Sequence, residues 1–152
     1  MTIRPPSLPA RRDVGGVGLI EVLVAVTILA FGLLGIAAMQ ATTLRNSQSA
    51  SSRSEAVVAT YAILERMRAN YTVASNGGYD LAAMTCNPPT ASSLVTSDQH
   101  DWIEALHESL GDSACGQIRK CGGLTCEIVV QWDDSRGTGG GTSEQLVTET
   151  RL

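Results

Sequence analysis

Apolar positions crowd into one stretch near the N-terminus. Val17 to Met39 reads VGLIEVLVAVTILAFGLLGIAAM and contains a single charge, Glu21. A helix needs about 20 apolar residues to cross a bilayer, so the run predicts a membrane-spanning helix. No Gly or Pro occurs from Ile36 to Asn76, so the spacing predicts that the helix continues to about Asn70. Beyond residue 50, Ala50, Val57, Tyr61 and Leu64 recur every three or four positions, and Ile63 and Met67 widen the stripe. Arg53, Glu55, Glu65, Arg66 and Arg68 lie on the opposite face. One helix from Val17 to Asn70 would be roughly 80 Å long at 1.5 Å per residue.

The pattern then changes. Asn76-Gly77-Gly78 ends the helix, and a loop carrying Cys86 and Pro88-Pro89 runs to about Thr96. Ser97 or Asp98 caps a short helix through Leu110. Its apolar or neutral stripe is Trp102, Ala105, Leu106, Ser109 and Leu110, and Asp98, Asp101, Glu104 and Glu108 form a solvated face. Gln117–Lys120 and Thr125–Trp132 are expected strands joined around Gly122-Gly123. The second alternates Cys126, Ile128, Val130 and Trp132 against Thr125, Glu127, Val129 and Gln131. Asp133 to Ser143 is Gly-rich and expected to be mobile. Glu144 to Leu152 is a final strand with Leu146, Thr148, Thr150 and Leu152 on one side. The expected class is α+β, a small antiparallel sheet against the long helix. The chain divides into a leader (1–16), a transmembrane helix (17–39), the distal half of that helix (40–70) and a globular head (71–152).

Composition narrows the chemistry. The net charge of −4 over 152 residues gives no footing for nucleic-acid binding. Aromatic residues are only 4%, so the head has little core and would be marginal by burial alone. All four cysteines, Cys86, Cys115, Cys121 and Cys126, lie in the head and suit disulfides in an oxidising compartment. Three pairings are possible. The favoured one joins Cys121 to Cys126 across the hairpin and Cys86 to Cys115 between the loop and the segment after the short helix. No C-x-x-C pair exists, so a zinc site is disfavoured, and neither metal nor cofactor is expected. No G-x-S-x-G or phosphate loop is present, and His100 and His107 have no nucleophile beside them. They are expected to be surface histidines, and the chain is not expected to be an enzyme. Asp133, Ser135 and the Gly-rich loop do not follow the calcium-loop pattern.

The leader holds Arg4, Arg11 and Arg12 against Asp13, a balance of +2 that leaves −6 for the rest of the chain. That flank should remain cytoplasmic, with the head on the other side of the membrane. A secretory signal places small residues after its apolar core; here Gly15-Gly16 precede it. Glu21 is out of place in an apolar run, where a charge costs roughly 2.5–3.5 kcal/mol at the bilayer centre and usually has a functional partner. A cut after Gly16 would free an amine on Val17 and leave Glu21 as the fifth residue. An amine on a neighbouring copy or related subunit could then neutralise Glu21 and set the register between packed helices. Gly32 and Gly35 allow close helix packing, with a soft point for helix extension as the lesser alternative.

Gly16-Val17-Gly18-Leu19-Ile20-Glu21, after a basic leader and before an apolar helix, resembles the processing motif of type IV prepilins. The resemblance implies a pilin-like fold. It also implies cleavage after Gly16 by a membrane-bound prepilin peptidase, methylation of the Val17 amine, and Glu21 as the assembly glutamate. Val17 stands where phenylalanine is commonest, and Gly18 where a hydroxyl residue is usual. Leu34-Gly35-Ile36-Ala37-Ala38-Met39-Gln40, Leu44-Arg45-Asn46-Ser47-Gln48, Glu65-Arg66-Met67-Arg68-Ala69-Asn70 and Thr148-Glu149-Thr150-Arg151-Leu152 are similar to the minor-pilin family of type IV pilus modification proteins (PilV). So are the Asp101-Trp102 helix and the strand ending Trp132-Asp133-Asp134. This resemblance implies a low-abundance subunit of the inner membrane and then of the pilus. Its implied partners are prepilin peptidase, other minor pilins, the major pilin, the inner-membrane assembly platform, a tip adhesin and membrane lipid. The alternative is a minor pseudopilin of type II secretion, which shares motif, helix and head.

Overall fold

A computed structural model describes residues 16, 18–122 and 125–152. The expectations placed on the leader, on Val17 and on Gly123 lie outside the described residues. In chain order the elements are α1 (Leu19–Ala69), α2 (Tyr71–Ala74), β1 (Leu81–Thr85), α3 (Leu94–Leu110), β2 (Cys115–Arg119), β3 (Thr125–Trp132) and β4 (Glu144–Arg151). Contacts group the chain into an N-terminal unit ending at Met39 and a second unit, Gln40–Leu152, which contains the head.

The head is a pilin-like α+β unit. Four antiparallel strands lie in the order β1-β2-β3-β4, and the distal part of α1 packs on them. The buried side of α1 is Ala56, Ala59, Thr60, Ile63, Leu64 and Met67. Ile63, Leu64 and Met67 of the stripe expected from apolar spacing are buried, but Val57 and Tyr61 are 40% and 58% exposed and Ala50 is exposed too, which corrects the rest of it. The physical reason is bulk. Ala56 and Ala59 let the helix axis approach closely, and Trp102 fills the space opposite, its Nε1 donating to the Ala59 carbonyl at 3.1 Å. A Cβ built at Gly116 on β2 would lie 2.5 Å from the Trp102 ring, so the indole occupies the volume a side chain there would take. Hydrophobicity selects candidates for a core; the neighbour's shape chooses among them.

The short helix also starts earlier than expected. Ser93 is the N-cap: its Oγ accepts from Thr96 N at 3.2 Å, while Thr96 Oγ1 accepts from Ser93 N at 2.8 Å. This is the reciprocal capping box with Thr in place of the usual Glu or Gln, which is why a search for the acidic pattern passes over it. Ser97 and Asp98 therefore lie inside the first turns. The buried face of α3 is Gln99, Trp102, Ile103 and Leu106, whereas Ala105 and Ser109 are exposed. Asp98 leaves the solvated face assigned to it. It accepts from Tyr79 Oη at 2.6 Å and lies 3.7 Å from Arg66, tying α3 to α1.

Strand β1 was expected to be loop. LAAMT has no polar-apolar alternation, and its pairing with β2 (Leu81↔Ile118, Thr85↔Gly116) contains a register irregularity. β2 begins two residues earlier than expected, at Cys115. β3 pairs along its length with β4, from Thr125↔Arg151 to Trp132↔Glu144, and on its other side with β2. It is buried on both faces rather than one. Cys126, Ile128, Val130 and Trp132 enter the core, while Val129 and Glu127 on the outer face are buried too. Glu127 accepts from Arg119 Nε at 2.6 Å and from Lys120 Nζ at 2.5 Å. The Lys120 hydrogen bond, then the Arg119 one, hold its carboxyl below the usual range.

Two disulfides fasten the head, Cys86–Cys115 with Cα atoms 4.1 Å apart and Cys121–Cys126 with Cα atoms 4.3 Å apart. The Gly-rich loop is tethered, contrary to the expectation of free movement. Asp134 is 5% exposed and accepts a 2.5 Å hydrogen bond from Ser49 Oγ on α1. Its backbone N–H donates to Gly141 O at 2.8 Å, closing the loop upon itself. A Cβ at Gly140 would fall 2.1 Å from the Asp134 carbonyl, so glycine is required for that close approach.

The separations of 29 and 5 residues predict unequal contributions from the disulfides. Replacing Cys86 and Cys115 by Ser should cost about 3.6 kcal/mol, and replacing Cys121 and Cys126 about 2 kcal/mol. Denaturant midpoints of the two double variants check the order. Gly116→Ala should overpack the Trp102 contact and cost about 1–3 kcal/mol by the same measurement.

Candidate processing and assembly segment

The N-terminal unit has no core of its own. The most apolar 18-residue window of α1 has a mean hydropathy of 2.6, and none of it is buried. Leu19 is 85% exposed, Phe31 71% and Leu34 66%. Leaving such side chains in water costs about 1.5–3 kcal/mol each relative to burial. The segment therefore requires an apolar surrounding that the described residues do not supply. Its polar groups are prepared for one. Thr27 Oγ1 donates to Leu23 O at 2.8 Å, so the hydroxyl is satisfied within the helix.

Gly16 and Gly18 precede α1, and Gly18 O accepts the first helical bonds, from Glu21 N at 2.9 Å and Val22 N at 3.3 Å. Glu21 thus lies in the first turn, where the positive end of the helix dipole favours a carboxylate. That field lowers the cost of the charge without cancelling it. Among the described residues no side chain pairs with Glu21. Val17, whose amine the sequence reading offers, lies outside the described residues.

Three of these glycines have no packing neighbour among the described residues. No atom lies within 4 Å of a Cβ built at Gly16, Gly32 or Gly35. A need for glycine at these positions would arise from another molecule. At Gly16 that would be one gripping the backbone, and at Gly32 and Gly35 one lying close against the helix.

His107 Nε2 is 3.1 Å from Ala114 O, and His100 Nδ1 is 2.8 Å from Pro89 O. Both are part-buried ties between α3 and flanking loops, which modifies the surface assignment given to them. A polar cleft lies between Ser49 and Ser52 of α1, the end of α3 and the loop at Asp133 and Asp134. Ser135 holds the Asp133 carboxyl below its usual range through side-chain and backbone hydrogen bonds. Among the described residues no cluster of three His, Cys, Asp or Glu side chains could hold a metal. Sequence reasoning missed the buried Asp134–Ser49 pair. Its only signal is the Asp133-Asp134 doublet at the mouth of the Gly-rich loop.

Gly16→Ala should leave the denaturant midpoint of the protein unchanged, within about 0.5 kcal/mol, because the substituted methyl meets open space. A larger shift would show that the fold itself needs glycine there.

Residues 11–37 match the family described as the Prokaryotic N-terminal methylation motif. No curated protein and no solved structure matches the chain. The matched residues span the glycine pair, Glu21 and most of the unburied apolar helix. The chain thus carries a prepilin-type methylation motif on a pilin-like α+β fold. That is the make-up of a structural protein of the pilin and pseudopilin kind, not of an enzyme.

Proposed function

We propose that this chain is a minor pilin of the PilV kind, made as a membrane-anchored precursor and incorporated into a type IV pilus. The observation that carries the reading is the methylation motif at residues 11–37 coinciding with an apolar helix whose most apolar 18-residue window no described residue buries. In this reading residues 1–16 are a leader removed by prepilin peptidase and Val17 becomes the methylated N-terminus. Residues 17–39 hold the precursor in the inner membrane and later enter the filament core. Residues 40–70 carry the head, formed by residues 71–152, on the periplasmic side.

The mechanism is assembly by charge and surface matching. Glu21 sits in the first helical turn without a counter-charge among the described residues. In the bilayer or in a bundle of apolar helices, a free amine on an adjacent subunit would be its strongest partner. A misregistered helix would leave both charges desolvated and alone, so the pair selects one axial position. The remaining apolar side chains then exchange lipid for neighbouring helices, with Gly32 and Gly35 permitting close approach. The head, braced by its two disulfides, faces the other minor pilins, the major pilin and a tip adhesin.

Gly16→Ala should block maturation, leaving a precursor heavier by the leader on immunoblot and abolishing incorporation. Glu21→Ala should be cleaved normally but lose at least tenfold of its incorporation into sheared filaments. Normal processing of Gly16→Ala would end the reading at its first step. Deleting the chain should reduce surface pili. Unchanged piliation with a defect in protein secretion would assign it instead to a type II pseudopilus.

A further inference from the structure

Ahead of its first core residue, Ala56, helix α1 crosses turns that the head's core does not support. Every residue from 40 to 48 is exposed, and Thr42, Thr43, Asn46 and Ser47 are weak helix formers. Helices in proteins are held mainly by packing of one face, and this stretch buries none. The turns that follow are weak for another reason. Ser49, Ser51, Ser52 and Ser54 crowd them, and the Ser52 and Ser54 hydroxyls donate to the Gln48 and Ala50 carbonyls at 3.2 and 3.0 Å. Such back-bonds slightly destabilise and bend a helix.

Exposure nevertheless ends at Ser49, the first half-buried residue of α1. The loop between β3 and β4 covers it. Ser49 Oγ donates to Asp134 Oδ2 at 2.5 Å, and a Cβ built at Gly137 would lie 3.0 Å from Ser49 Cβ, so backbone and carboxylate both press on the helix here. The loop holds its own shape. Asp134 N–H donates to Gly141 O at 2.8 Å, Gly137 N–H donates to Asp134 O at 2.8 Å, and Gly140 approaches the Asp134 carbonyl more closely than a side chain would permit. Asp134 lies just beyond Trp132, a core residue of β3, so this arm starts from the sheet. It reaches α1 about two turns before Ala56.

We propose that the Gly-rich loop is a strap that grips α1 at Ser49 and confines opening of the helix to residues 40–48. The stretch ahead of the strap is a hinge, and the serine-rich turns behind it stay with the head. Bending between apolar segment and head is thereby kept from running into the core at Ala56. This goes beyond the pilin reading and needs only that the apolar segment be held in lipid or detergent. The test is hydrogen–deuterium exchange of the full-length protein in detergent micelles, read at three places. Amides 42–48 report the hinge, amides 53–55, which bond to carbonyls 49–51, report the strap, and amides 128–130 report the head's core. In the unaltered protein amides 42–48 should be about tenfold less protected than 53–55. Ser49→Ala, which removes one hydroxyl, should lower protection at 53–55 about tenfold and leave 128–130 unchanged. Asp134→Ala should do the same from the other side of the contact; where it loses protection at 128–130 as well, Ser49→Ala decides. Equal protection at 42–48 and 53–55, or no change at 53–55 in Ser49→Ala, would overturn the proposal. So would an equal loss at 128–130 in Ser49→Ala, because the contact would then belong to the core's stability and not act as a strap.

Discussion

An apolar helix segment that none of the described residues buries sets the terms for the rest of this protein. Each large side chain from Leu19 to Ile36 left in water is a cost, and none of the described residues buries it. The segment is consequently stable only in lipid or against other helices. Its Thr27 hydroxyl is already satisfied within the helix, and its glycines contact nothing. In the proposed assembly, the single carboxylate, Glu21, would give an otherwise non-specific apolar surface a preferred axial position, because a desolvated charge is tolerated only opposite a counter-charge.

The head solves a different problem, that of making a rigid unit from few aromatic residues. It does so by close approach. Ala56 and Ala59 bring α1 near the sheet, Gly116 makes room for the Trp102 ring, and the indole N–H binds the helix backbone at Ala59. Polar ties then pin the edges. Asp98 joins Tyr79 and Arg66, Asp134 joins Ser49, and Glu127 joins Arg119 and Lys120 on the outer face of the central strand. Two disulfides add chain constraint where the core is thin. Such a head presents a fixed surface, which suits the proposed role as an assembled subunit.

The sequence by itself determined the features that depend on local composition and spacing. The apolar run, the basic flank, the Gly16-to-Glu21 motif, the α+β class and the paired strands around β3 all follow from hydrophobic periodicity, charge position and turn residues. These are signals within a few neighbours along the chain. Tertiary structure decided which face of α1 is buried, because Val57 and Tyr61 are bulkier than Ala56 and Ala59, and the close fit of Trp102 against the helix favours the smaller side chains. It also decided that β1 is a strand, through hydrogen bonds offered by β2, and that the Gly-rich loop is tied down, through a carboxylate reaching a serine far away in sequence. Contacts of that kind depend on distances between segments, which no local pattern encodes.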